Sequence, residues 1–248
     1  GEQLRCFYLD HAQERGGVWS TFSGTLTRRV QAFTRSAPVT SLDLLYAQAI
    51  GLHPLLKRKV QEWALASRGC FPLRSEEEGR PRYVRWEDAV REREQHCTHG
   101  TASGVDGRAG KVLAVDRIKW AAVKSPERAI EKLVRVYGGN VSCLLDVCRQ
   151  SIVFDRCDEL AQCLETIVRD RQAIVLGFKN RLRLDYNAEF SGGYRDVQLK
   201  LVLVTREAEK LGLSHHVCEV QLLLRDFAHV KNEVGHKKYV EARDAKAE

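Results

Sequence analysis

Two periodicities divide this chain. In its first part apolar residues recur at helical spacing: Trp19, Phe22, Leu26, Val30 and Phe33, then Leu42, Leu45, Tyr46, Ala49 and Ile50, with Ser41 as N-cap. Gly51 and Pro54 are expected to interrupt, after which Leu56, Val60, Trp63 and Ala64 resume the stripe. Such stripes read as core. Residues 69–82 carry Pro72, Pro81 and the triplet Glu76-Glu77-Glu78, and read as a surface loop; 86–95 reads as a short charged helix. Residues 98–110 are rich in Gly, Ser and Thr and read as a linker.

Beyond the linker, strands and helices alternate. Residues 118–124 read as a strand. Ser125 then caps a helix that has Pro126 in its first position, Glu127 in its first turn and Ile130, Leu133, Val134 and Tyr137 as its stripe. Gly138-Gly139 stops that helix. Strands are expected at 149–154 and 173–178, a helix at 158–169 with Leu160, Cys163, Leu164, Ile167 and Val168 inward, and a closing helix at 226–242. The pattern predicts an α+β chain with a mixed sheet flanked by helices: an N-terminal helical region (1–97), a linker (98–114) and a second domain (115–248).

The segment 191–221 organises the second domain. It reads as two strands of period 2. Val197, Leu199, Leu201 and Leu203 share one face of the first, and Tyr194, Asp196, Gln198 and Lys200 the other; in the second, Glu219 and Gln221 oppose Val220 and Leu222. A solvated sheet face and a functional wall are both open readings of the polar rows. The adjoining Gly192-Gly193 would let backbone approach another group closely.

Composition adds to this picture. Among the 248 residues, 44% are hydrophobic and 29% charged, which places the chain with globular proteins. A formal charge of +7 favours anionic partners such as nucleotides or RNA. No apolar run reaches the roughly 18–20 residues of a membrane helix, and the first residues carry no signal-peptide pattern. The chain has no Met and reads as an excised domain or processed fragment. Its eight cysteines include no CxxC, so most read as buried free thiols of an intracellular, reducing compartment, the cytoplasm. His96-Cys97-Thr98-His99 lacks a distant second ligand pair for zinc, and 104–111 is one residue too long for a phosphate loop, with Val112 where a hydroxyl would hold magnesium.

Charged residues gather at element ends: Lys124, Arg128, Asp146, Arg149, Lys179 and Arg181, with Glu219 inside a strand. Two separated acids among several cations suit a Mg²⁺–polyphosphate site, the acids holding the metal and the cations the phosphate oxygens. Simple salt bridging of Asp146 and Glu219 to neighbouring bases explains the same residues equally well.

The order of motifs adds to this. Lys124-Ser-Pro-Glu-Arg128 through Lys132, Leu-Leu-Asp146-Val-Cys-Arg149, Phe-Lys179-Asn-Arg181, Gly193-Tyr194-Arg195-Asp-Val-Gln198, Cys-Glu219-Val-Gln221 and Gly235-His236-Lys-Lys-Tyr239 together resemble the RelA/SpoT family of alarmone (ppGpp) synthetase domains, over roughly 115–243. The resemblance implies a nucleotidyltransferase-like fold and the Mg²⁺-dependent transfer of pyrophosphate from ATP to the 3′-hydroxyl of GTP or GDP. It implies that Asp146 and Glu219 bind the metal, Glu219 also helping to deprotonate the attacking hydroxyl. Tyr194 would stack on guanine; Lys124, Arg128 and Lys179 would contact phosphates; Gln221 and His236 would support the acceptor side. Arg149, Arg181 and Gln198 complete the candidate substrate-binding set.

Four positions depart from the family pattern: Ala122 and Ser151 replace arginines, Gln198 a histidine, and Glu189-Phe190 a basic residue. They leave room for a divergent acceptor, including an adenine nucleotide or a tRNA end. They also allow a second class of function, a catalytically inactive relative that binds nucleotide or RNA as a sensor or interaction module.

Overall fold

In the computed structural model of the chain, residues 39–74, 81–99, 113–191 and 193–230 are described. The stripe around Trp19, the segment 75–80, Gly192, His236 and the end of the closing helix lie outside these residues.

The described chain runs α1 (Leu42–Ser67), β1 (Cys70–Pro72), β2 (Tyr83–Arg85), α2 (Trp86–His99), α3 (Pro126–Tyr137), β3 (Cys148–Phe154), α4 (Cys157–Arg169), β4 (Ala173–Asn180), β5 (Val197–Leu203), α5 (Arg206–Lys210), β6 (Cys218–Leu224) and α6 (Arg225–Val230). The strands form one mixed sheet in the order β2-β1-β3-β6-β5-β4. β3 and β6 are parallel, and the other pairings are antiparallel. This is the α+β architecture expected from the pattern.

Local chemistry explains several boundaries. The Ser41 side chain accepts from the Leu44 N–H, and the Ser125 side chain from the Arg128 N–H, so both caps act as anticipated. Gly138 ends α3 at φ 55°, a left-handed conformation that glycine adopts without a Cβ penalty.

Four features differ from the sequence reading. α1 is continuous through Gly51 and Pro54. Pro54 and Ile50 are exposed, so the backbone bond that proline removes lies where water can satisfy the Ile50 carbonyl. Meanwhile Leu45, Ala49, Leu52, Leu56, Val60 and Trp63 keep one buried stripe along the whole helix. The expected loop 69–82 contains β1, and the N-terminal region is not wholly helical, since it holds β1 and β2. Segment 118–124 is not a strand: Ile118 makes a single bridge to Leu73. Finally, Ile130 and Val134 of α3 are exposed, while Ala129 and Leu133 face the core.

Side chains replace the missing ladder at 118–124. Gln150 Oε1 accepts from the Ala121 N–H (3.2 Å), and its Nε2 donates to the Ala121 carbonyl (2.9 Å). From α1, His53 Nε2 donates to that carbonyl (2.7 Å), and the Tyr46 hydroxyl donates to the Lys124 carbonyl (2.8 Å). The Lys124 N–H donates to the Val147 carbonyl (3.0 Å). Thus α1 helps hold the segment that presents Lys124.

The main core lies between one sheet face and the helices. It joins Leu52, Leu56 and Trp63 of α1 to Ile152, Phe154, Leu199, Leu201, Val220 and Leu222 of the sheet, and to Cys163 and Ile167 of α4. Cys70, Cys148, Cys163 and Cys218 are buried free thiols, Cys97 and Cys157 are exposed, and Cys143 departs from the free-thiol expectation in being disulfide-bonded. None of the described helices is long and apolar enough to cross a membrane.

Candidate active site

The other face of the sheet carries the polar rows. By register, Arg149 of β3, Glu219 of β6 and Lys200 of β5 stand side by side. One step along, Ser151, Gln221, Gln198 and Lys179 cross all four strands. Period-2 alternation puts these residues opposite the core. An apolar cluster closes each end of the polar stripe: Leu145, Leu176, Val202 and Val217 at one, Cys70, Val153 and Leu223 at the other. The stripe is not a solvated face. Glu219 is 2% exposed, Asp146 6% and Lys200 8%.

Asp146 lies two residues before β3 and reaches the same end of the stripe as Glu219. One ammonium links their neighbourhoods: Lys200 Nζ donates to the Leu145 carbonyl (3.1 Å) and to Glu219 Oε2. Asp146 Oδ2 accepts from Lys124 Nζ (2.6 Å) and Lys132 Nζ (3.0 Å). Its Oδ1 is buried and has no hydrogen-bond partner among the described residues. Glu219 Oε1 accepts from the neutral amide of Gln221 (2.8 Å). Each acid therefore holds cations on one oxygen and keeps cations off the other.

Burial alone would raise both carboxyl pKa values. Lys132, Lys200 and Lys124 outweigh it at Asp146 and hold that acid well below the usual carboxylate range. At Glu219, Lys200 outweighs both burial and the Asp146 charge, so the net direction is also downward. Both acids are ionised at neutral pH. The lysines divide: burial, aided by the Lys132 charge, draws Lys124 below the usual lysine value, whereas at Lys132 the attraction of Asp146 overcomes burial and raises it.

The remaining candidates separate into engaged and unengaged groups. Arg128 is exposed, and Arg149 and Lys179 are half-buried; the side chains of all three make no hydrogen bond or ion pair among the described residues. Arg181 is engaged, since its Nη1 donates to Asp196 Oδ1 (2.5 Å). The fully buried Asp196 also accepts from the Tyr194 hydroxyl on Oδ2 (3.0 Å). The Tyr194 ring packs against Cys70, Val153 and Leu223. Burial first, then the Asp196 charge, push its phenol pKa well above the usual value. Gln198 is half-buried beside Gln221. A Cβ at Gly193 would meet nothing within 4 Å; what glycine supplies there is the φ of +83°, not room for a close approach.

Three participants were not singled out from the sequence: Lys132, Lys200 and Asp196. Lys132 follows Lys124 by two helical turns inside a quoted motif. Lys200 of β5 and Asp196 just before it stood on one polar row, so alternation carried the signal, but nothing local shows which partner each side chain meets.

No protein-family model matches the chain, and no curated protein matches it. Among solved structures it is similar to the Type VI effector Tas1 in complex with its immunity protein, at 20% identity, with 86% of this chain and 77% of that one covered and a TM-score of 0.39. It is similar to small alarmone synthetase 1 of Bacillus subtilis bound to its product pppGpp (13%, 64% and 82%, TM-score 0.35). It is also similar to a GTP pyrophosphokinase family protein of Streptococcus pneumoniae (12%, 64% and 79%, TM-score 0.36).

Proposed function

We propose that this chain is a Mg²⁺-dependent nucleotide pyrophosphokinase of the alarmone-synthetase type, moving the β,γ-pyrophosphate of ATP to the 3′-hydroxyl of a guanine nucleotide. The observation that carries this reading is the pair of buried, ionised acids on a polar sheet face that also carries Arg149, opposite Glu219, and Lys179, opposite Gln198, two cations whose side chains have no hydrogen-bond or ion-pair partner among the described residues. A buried cluster with cations to spare suits a polyphosphate, whose negative charge it would balance.

The acids fit a magnesium ion. Asp146 Oδ1 is an unpartnered, buried, hard oxygen, and Glu219 Oε1 receives only an amide. Asp146 and Glu219 would hold the ion, which neutralises phosphate charge when bound. Arg128, Arg149 and Lys179 bind phosphate oxygens, and Tyr194, Gln198 and Gln221 line the acceptor side. In the transfer, the acceptor 3′-oxygen bonds to the β-phosphorus of ATP, and the bond from that phosphorus to the α–β bridging oxygen breaks. AMP leaves, and Glu219 takes the hydroxyl proton. Most of the work asked of the protein is positioning and charge balance.

Labelled ATP incubated with Mg²⁺ and GDP or GTP tests the reading. A pyrophosphorylated acceptor and AMP are expected; no product with any nucleotide or tRNA acceptor, together with no Mg–ATP binding, would sink it.

One observation favours a second reading, an inactive nucleotide- or RNA-binding module: lysines already sit on both acids. Salt-sensitive RNA binding that survives Asp146→Ala and Glu219→Ala, without any transfer activity, would favour it.

A further inference from the structure

We infer that Lys200 is a positioning residue, which holds Glu219 through Oε2 and the Leu145 carbonyl beside Asp146, so that one oxygen of each acid remains for a single divalent cation that enters with the nucleotide. This rests on reading the two acids as the transfer site.

A lysine in the middle of a sheet is costly to bury unless its ammonium is fully engaged. Lys200 is engaged in a way that links two distant pieces of chain. Its bond to the Leu145 carbonyl spans 55 positions in sequence, and Leu145 is the residue before Asp146. Its bond to Glu219 spans 19. A single atom thereby ties the approach to β3 to the middle of β6. Arg149 could have served Glu219 instead, because it is the register partner on the opposite side, yet it makes no ion pair among the described residues. A compact ammonium with three donors can point at a carbonyl and a carboxylate together, whereas the planar arginine fork cannot easily do so in the space between adjacent strands.

The other acid repeats the pattern. Lys124 and Lys132 both take Asp146 Oδ2, and Oδ1 stays unpartnered. Glu219 Oε2 is likewise closed by Lys200, which leaves Oε1 as the counterpart. A second cation would have to displace a lysine. Three lysines also outnumber the two carboxylates, so a free divalent ion meets net positive charge. The ion is therefore expected to arrive on the phosphates of a nucleotide, whose charge reverses that balance.

The test uses Mn²⁺ as probe, followed by electron paramagnetic resonance on the full chain. Wild-type protein is expected to bind Mn²⁺ alone weakly, with a Kd above about 1 mM, and to retain the ion once ATP is added. Lys200→Gln keeps hydrogen-bond donors but removes the charge, and should bind Mn²⁺ alone about tenfold more tightly. Its kcat should fall while KM for ATP changes less, because Glu219 is held less firmly. Lys200→Arg should match wild type in Mn²⁺ affinity within about twofold, since it keeps the charge. Loss of the charge alone would tighten Mn²⁺ binding and leave kcat in place, so the fall in kcat is the readout of positioning. Unchanged or weaker Mn²⁺ affinity, or unchanged kcat, in Lys200→Gln overturns the role of Lys200 and leaves the transfer site standing, provided wild type still binds Mn²⁺–ATP. No binding by either protein, with or without ATP, overturns the site itself. Tight binding of free Mn²⁺ by wild type overturns the inference without any variant, should Lys200→Gln fail to fold.

Discussion

The two faces of the central sheet are made by the same strands and differ in what they bury. Toward α1 and α4, β3, β5 and β6 present Ile152, Phe154, Leu199, Leu201, Val220 and Leu222, all completely buried. Toward the other side the intervening positions present Arg149, Ser151, Glu219, Gln221, Gln198 and Lys200. The first face gains its stability from apolar area removed from water. The second buries charge, which is unfavourable unless each charge is matched. Matching is nearly complete at Asp146, Glu219 and Asp196, and incomplete at Arg149 and Lys179. One pleated sheet can therefore keep an apolar core and a charged face a single side chain apart, because period-2 alternation separates them.

Substitutions on the two faces should separate stability from activity. Glu219→Gln keeps the side-chain shape and should lower pyrophosphate transfer at least about a thousandfold, roughly 4 kcal/mol of barrier, with substrate binding far less affected; steady-state kinetics with ATP and GDP checks this, and near-normal turnover would remove Glu219 from the chemistry. Phe154→Ala, on the apolar face, should cost about 3–5 kcal/mol of folding stability in denaturant titrations, with activity per folded molecule preserved.

His216 falls on the apolar side of the alternation, 3% exposed, with Nδ1 near Gln48 Oε1 (3.3 Å) and no partner at Nε2 among the described residues. Burial pushes its pKa down to about 4. The unfolded chain takes up a proton near the ordinary value of about 6.5, and the folded chain only near 4. Stability linked to His216 is therefore intact above about pH 6.5 and lost as pH falls toward 4, by up to about 3 kcal/mol. His216→Gln should flatten that acid limb in urea titrations at about pH 7 and about pH 4.5; an unchanged limb would remove His216 as its source.

Gln150 is the polar intruder on the apolar face, and it sharpens the contrast. Gln150→Leu should cost about 1–3 kcal/mol by leaving the Ala121 N–H unpaired, while His53 still holds the Ala121 carbonyl, and should also slow transfer because the segment carrying Lys124 loosens. Lost stability with unchanged activity would show that this latch serves the fold alone. The smallest effect is expected at Lys179→Ala: about a tenfold rise in KM for a phosphate-bearing substrate, with stability within about 0.5 kcal/mol.

Much of the fold was legible because its signals are local. Ser125 followed by Pro126, the Gly138 stop, the stripes of α1 and α4 and the alternation of β5 and β6 all depend on near neighbours along the chain. Misreadings arose where a distant partner overrode a local rule. Pro54 stays inside α1 because the buried stripe on either side holds one helix against the sheet. Segment 118–124 has the composition of a strand, but Gln150 and His53 take the bonds a neighbouring strand would have used.

The same division applies to the candidate site. The amino-acid sequence by itself determined most elements of the second domain and which side chains share a face within one strand, Gln198 with Lys200 and Glu219 with Gln221, since side-chain direction follows from alternation alone. Only the tertiary structure decided that Lys200 and not Arg149 meets Glu219, that Lys132 joins Lys124 on Asp146, and that Asp196 binds both Tyr194 and Arg181. Those pairings depend on how the strands are ordered and how far each loop brings its charge. A long charged side chain follows its nearest available partner in three dimensions, and spacing along the chain does not encode that choice.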